Sequence, residues 1–197
     1  MDIESIAGFI SEAAKLPGVP GYEAGVRGRV ADYFRPYARE VFSDDLENLY
    51  CLVGDEAAKG GPRVAVCAHH DEIGLVVRKI EDDGCLRVFK NGGVDPRILP
   101  GMEVSVQTAS GALYGVIGAK PPHLLSEKDR EKALKLEDVY IDVGMDAQQV
   151  RRQVRVGDMV VMLAPSLRLA GGRMAGKTMD DRASVAAMLV AAQALSE

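Results

Sequence analysis

The chain has 197 residues, 47% of them hydrophobic and 27% charged, with a formal net charge of −5. That suits one or two globular domains with a real core, and the mild acidity argues against nucleic acid or an anionic membrane as partner. No apolar run approaches the roughly 20 residues of a membrane span, Met1-Asp2-Ile3-Glu4 lacks the basic region of a signal peptide, and Cys51, Cys67 and Cys85 fit no paired metal spacing, so a cytoplasmic protein with reduced thiols is expected.

Ile3, Ile6, Ile10 and Ala13 recur at helical spacing, and Leu16-Pro17-Gly18 stops that helix. Val26, Val30, Tyr33, Phe34 and Tyr37 mark a second amphipathic helix. Short strands are expected near Glu40–Ser43 and Asn48–Gly54, followed by a Gly60-Gly61-Pro62 turn. Arg63–Ala68 is an apolar run that reads as a buried strand. It ends abruptly in His69-His70-Asp71-Glu72, then Ile73-Gly74. Open α/β sheets build their sites at such strand ends. Period-2 alternation puts His69 and Asp71 on one face, with His70 and Glu72 on the other. An imidazole with a carboxylate two residues on suits a metal ligand and its orienting partner, because the carboxylate takes the free ring N–H and fixes the tautomer. On these residues alone, a polar strand end with a satisfied histidine stands beside that reading.

The pattern changes after Gly74. Leu75–Ile80 and Cys85–Phe89 flank Glu81-Asp82-Asp83-Gly84, a hairpin signal. Met102–Gln107 and Leu113–Ile117 flank Ala109-Ser110-Gly111, a second one. Glu137–Val143 and Met159–Leu163 are further strand candidates. Only Glu127–Lys135, with a capping signal in Ser126-x-x-Asp129, and Ala147–Gln153 look helical. Short strands at this spacing predict a small barrel. Residues 75–163 therefore read as a β-rich domain inserted into an α/β domain made of residues 1–74 and 164–197. Long strand edges in so small an insert need covering, which predicts self-association.

Beyond Pro165 the chain is glycine-rich at Gly171-Gly172 and Gly176, and reaches Lys177-Thr178-Met179-Asp180-Asp181-Arg182. The stretch through Val185, Ala186, Leu189, Val190, Ala192 and Leu195 is an Ala-rich, nearly apolar helix of the buried kind. The Asp pair sits at its start, where the helix dipole favours anions. A plain N-cap by Asp180 or Asp181 is the structural alternative. A second acidic cluster, across a whole insert from the first, favours one shared site.

Ala68-His69-His70-Asp71-Glu72-Ile73-Gly74 resembles the Ala-His-x-Asp-Glu-Ile-Gly motif of the glutamyl-aminopeptidase and tetrahedral-aminopeptidase family of two-metal peptidases, some of whose members are labelled endoglucanase M. The match continues through Gly118-Ala119-Lys120-Pro121-Pro122-His123, Tyr140-Ile141-Asp142-Val143-Gly144, Val156-Gly157-Asp158 and Met179-Asp180-Asp181-Arg182. The resemblance implies a peptidase-type α/β domain, here incomplete, interrupted by a small β-barrel used in dimerisation and assembly. It implies His69 as a terminal metal ligand and Asp180 as the carboxylate bridging two divalent ions, zinc or cobalt. It makes Asp71 the catalytic-site carboxylate that holds His69, and it implies a cis bond between Asp180 and Asp181. Short peptides trimmed from the N-terminus are the implied substrates, and homo-oligomers the implied state.

One departure accompanies the match. The family continues with a Glu-Glu pair, whose first member is the general base, and a late histidine ligand. This chain holds no Glu-Glu pair, and of its three histidines His70 points the other way and His123 lies in the insert. Two protein ligands fall short of a shell of four to six. The chain thus reads as the N-terminal part of an aminopeptidase, truncated before the base and inactive alone. The alternative is a non-catalytic assembly module with a relic half-site. Glycan hydrolysis is disfavoured, because Asp71 and Glu72 diverge instead of flanking a sugar.

Overall fold

The computed structural model describes residues 1–54 and 61–196, with the backbone alone at 122, 129 and 130. The chain is of the α/β class and divides into two compact units, residues 1–72 with 165–197, and residues 73–164.

The first unit opens with α1 (Ile3–Ala13), capped by the Asp2 carboxylate, which accepts from the Ser5 N–H at 2.7 Å. Its buried face is Ala7, Phe9 and Ala13, with Ile6 and Ile10 at the margin and Ile3 exposed. Three of the four residues of the expected stripe, Ile6, Ile10 and Ala13, pack in the core, and only Ile3, in the first turn, stays exposed. Helix α2 (Ala24–Phe34) buries Val26, Val30, Ala31 and Phe34, and Phe9 meets Tyr33 edge to face at 4.7 Å between centroids. Strands β1 (Glu40–Ser43) and β2 (Leu49–Leu52) form an antiparallel pair.

The run Arg63–Ala68 is not the buried strand expected. Among the described residues it joins no ladder, and Val64 and Val66 are 80% and 66% exposed. A strand has no local hydrogen bonds of its own, so an apolar run without a partner stays extended and open. The turn expected at Gly60-Gly61-Pro62 lies partly outside the described residues.

The second unit is a closed six-stranded antiparallel barrel. Its strands are β3 (Gly74–Ile80), β4 (Leu86–Asn91), β5 (Glu103–Thr108), β6 (Gly111–Ala119), β7 (Val139–Asp142) and β8 (Met159–Met162), in the order β3-β4-β7-β6-β5-β8. Period-2 alternation turns Leu75 and Val77, Leu86 and Val88, and Val104 and Val106 into its core, with Ile117, Ile141 and Val160. Both expected hairpins form, β3–β4 and β5–β6. Closure leaves no free strand edge in the barrel, so the edge argument for self-association does not hold. Helix α3 (Glu127–Arg130) is shorter than the stretch expected to Lys135, and the Asp129 side chain of its expected cap lies outside the described residues. Helix α4 (Ala147–Gln153) starts from a capping box of Asp146 and Gln149.

Back in the first unit, β9 (Leu167–Leu169) and β10 (Arg173–Ala175) form a hairpin that the sequence showed only as a glycine-rich stretch. Helix α5 (Met179–Ser196) packs Val185, Ala186, Leu189 and Ala192 against Phe9, Val26, Val30 and Phe34. No helix among the described residues is long and apolar enough to cross a membrane.

Gly84 makes the β3–β4 turn possible. Its φ is +91°, and a Cβ there would sit 2.4 Å from the Met145 carbonyl oxygen. Gly84→Ala is expected to destabilise the barrel by about 1–3 kcal/mol, as overpacking against rigid backbone does. Urea unfolding measures it, and an unchanged midpoint contradicts it.

Candidate functional site

His69 and Asp180 are 111 positions apart and in contact. The His69 imidazole lies between two carboxylates, with Nδ1 2.9 Å from Asp71 Oδ1 and Nε2 3.0 Å from Asp180 Oδ1. Burial pushes the His69 pKa down, but Asp71 and Asp180 outweigh it and the net shift is upward. Each ring nitrogen faces a carboxylate oxygen, and the tautomer with its proton on Nδ1 would leave Nε2 for whatever occupies the Asp180 side. The Asp180 side chain is 93% exposed, so the pair opens to solvent.

The start of α5 presents Asp180 in an unusual way. Thr178 has a φ of +62°, the Asp180–Asp181 bond is cis, and both aspartates depart from helical geometry. The Asp180 carboxylate meets the His69 ring at this point of the chain.

Beneath His69 lies a charged network that the sequence reading did not identify. Arg182 is 1% exposed. Its Nε donates to the His70 carbonyl at 2.8 Å, and Nη1 donates to the Leu16 carbonyl at 2.9 Å and, in a shorter bond, to the Ala13 carbonyl. Nη2 lies 3.9 Å from Glu72 Oε1 and, among the described residues, has no hydrogen-bond partner. Glu72 accepts from the Gly18 N–H at 3.2 Å through Oε1, and its Oε2 meets Lys177 Nζ at 2.5 Å. The Glu72 N–H returns a bond to the Gly18 carbonyl at 2.8 Å. Burial lowers the pKa of both Lys177 and Arg182, more than Glu72 raises them. The available signal was two long cationic side chains flanking the Asp pair at the start of an apolar helix.

His70, between the two site residues, is half-buried, and burial first and Arg182 second push its pKa down. His123 belongs to a 3₁₀ turn of the barrel unit. Among the described residues no group of three or more His, Cys, Asp or Glu side chains converges as a metal cage. The donor chemistry still fits a divalent ion of the zinc type, with an imidazole Nε2 facing a carboxylate and Nδ1 already tied. It supplies two donors where such an ion takes four to six.

The Glu72–Lys177 pair is nearly dry, with side chains 4% and 13% exposed. Removing one member leaves the other charge buried and unpaired, which costs about 3–5 kcal/mol. Glu72→Ala is expected to lower the thermal unfolding midpoint by roughly 6 °C or more. A midpoint within 2 °C of the parent, on the order of 1 kcal/mol or less at this size, contradicts the burial argument.

Three comparisons bear on this geometry. The family model for M42 glutamyl aminopeptidases matches residues 49–197. A lysyl aminopeptidase of Pyrococcus furiosus is 37% identical over 193 residues, covering 96% of this chain and 55% of the relative. Among solved structures, a TET aminopeptidase from a marine sediment thaumarchaeon superposes with a TM-score of 0.90 at 29% identity, covering 97% of this chain and 54% of that one. The TET1 peptidase of Pyrococcus horikoshii, which can assemble into a tetrahedron or a large octahedral shell, gives a TM-score of 0.85 at 33% identity over 97% of this chain and 56% of that one. The chain spans about half the length of the relatives it matches. By the family match and the shared fold, the chain belongs to the M42 glutamyl aminopeptidase family.

Proposed function

We propose that this chain contributes part of the two-metal centre of an aminopeptidase that removes N-terminal residues from short peptides. The observation that carries the reading is His69 held between Asp71 and Asp180 by contacts of 2.9 and 3.0 Å. In this reading His69 and Asp180 hold divalent ions, zinc or cobalt. When bound, such ions polarise the scissile carbonyl and lower the pKa of a water nucleophile. Asp71 accepts the Nδ1 proton of His69 and keeps Nε2 turned toward Asp180. Asp71 is thereby engaged, and a poor general base. With no Glu-Glu pair among the 197 residues, a step ordinarily worth 10²–10⁴-fold has no agent in this chain.

Two outcomes follow from these residues. Alone, the chain is expected to show no turnover of leucyl or glutamyl chromogenic amides with added zinc or cobalt. Metal-dependent turnover abolished by His69→Ala would place a complete site in this polypeptide and overturn that expectation. Metal binding should also depend on pH in a definite direction. The raised His69 pKa keeps a proton on the imidazole, so affinity for cobalt should rise as pH increases through that pKa and the proton leaves. Affinity flat from pH 6 to 8, measured calorimetrically, contradicts His69 as a ligand.

The barrel unit is proposed as the assembly module, with residues 1–74 and 164–197 as the peptidase part. Its exposed Phe89, Ile98, Tyr114 and Leu124 offer apolar contact surface without any free edge. Sedimentation at micromolar concentration should give a defined multiple of the chain mass, and a sharp monomer boundary sinks the idea.

A further inference from the structure

We propose that Arg182 is a positioning residue for the metal centre, holding the two ligand-bearing segments at the separation where one ion can take both His69 and Asp180. The inference rests on the functional reading above and goes beyond it, because Arg182 is itself no ligand.

Arg182 follows Asp180 by two residues, and the carbonyl it holds through Nε belongs to His70, one residue past His69. One side chain therefore joins the backbone beside one ligand to the backbone beside the other, across 112 positions. Its Nη1 anchors the same fork to the Ala13 and Leu16 carbonyls at the end of α1. The His69–His70–Asp71 segment has no strand ladder among the described residues to fix it. Arg182 and the Glu72–Gly18 bonds supply the restraint that a ladder would give.

The chemistry favours positioning over filling. A leucine or methionine would occupy the same space without the desolvation of a guanidinium. Arginine brings a rigid fork of five N–H donors, which a lysine does not reproduce. The chain also leaves room for the fork. Gly18 has no side chain, and a Cβ there would come within 2.9 Å of Arg182 Nη2. Glu72, at 3.9 Å, is the carboxylate that Arg182 shares with Lys177.

The test uses the 197-residue chain with cobalt alone as probe. Cobalt broadens and shifts the ring signals of a histidine it binds, and the chain has only three histidines to assign. Arg182→Lys is expected to weaken cobalt binding at His69 by about 10–100-fold, the range for partners that orient metal ligands. Leu189→Ala, a core truncation beyond the network, is expected to lower stability and leave that affinity unchanged in the folded molecules. An affinity for Arg182→Lys within twofold of the parent overturns the inference, as does an equal loss in Leu189→Ala. If Arg182→Lys does not fold, Gly18→Ala crowds the guanidinium while keeping its charge and is judged by the same comparison with the parent. His69→Ala separates the two readings. Cobalt binding unchanged in that variant ends the metal assignment and this inference with it, whereas loss there with Arg182→Lys unaffected ends only the inference.

Discussion

A guanidinium removed from water must find acceptors for its N–H groups, and that requirement organises the first unit. Arg182 meets it with carbonyls from Ala13, Leu16 and His70, residues belonging to two segments far apart in sequence. The Ala13 and Leu16 carbonyls lie at and just beyond the end of α1, and the His70 carbonyl lies in the extended run before the barrel. The Ala13 carbonyl also accepts from the Leu16 N–H at 3.1 Å, and Nη2 of the arginine has no hydrogen-bond partner among the described residues. Glu72 is shared between two cations, Arg182 and Lys177, in a nearly dry region. A buried network of this kind adds little net stability over apolar packing, but it penalises arrangements that break it. What it defines is one placement of His69, His70 and Asp71 against the start of α5.

The two units rest on different physics. The barrel is held by closure, because every strand has two neighbours and inward residues such as Leu86, Val106 and Ile141 are fully buried. The other unit pairs its strands only as two-stranded ribbons, β1 with β2 and β9 with β10. Two-stranded ribbons are marginal by themselves, so order there depends on helix packing around Phe9, Phe34 and Leu189 and on the arginine network. The extended run keeps Val64 and Val66 exposed.

This contrast also decides what the sequence could reveal. The barrel strands were legible because a hairpin is local. Alternation at Leu75–Ile80 and Leu86–Val88, with Gly84 between, determines both strands and the turn. Helices α1, α2 and α5 were legible from periodicity, although periodicity did not show that Ile3, in the first turn of α1, stays exposed. Arg63–Ala68 misled because apolar composition reports a wish for burial and says nothing of a partner strand. The approach of His69 to Asp180 came from motif and spacing, which told which residues meet and nothing of how. Glu72, Lys177 and Arg182 escaped notice because a charged residue reads as exposed until its partners are known. The partners of Arg182 are backbone carbonyls, which carry no trace in sequence.

The two carboxylates beside His69 set the electrostatics of the site. Two carboxylates approach one imidazole, and with the ring neutral the group carries two negative charges within about 3 Å of a single ring. A proton on the imidazole relieves part of that, which is why Asp71 and Asp180 raise its pKa against the pull of burial. The proton on Nε2 lies in the contact with Asp180, the side on which the imidazole offers its remaining donor. A divalent ion of the zinc type prefers that imidazole and carboxylate pairing, and it brings twice the charge of a proton. Asp71 then need not move, since its hold on Nδ1 serves either occupant. In the proposed reading a divalent ion replaces that proton, and the backbone on either side of Asp71 is held by the His70 carbonyl on Arg182 and the Glu72 N–H on Gly18.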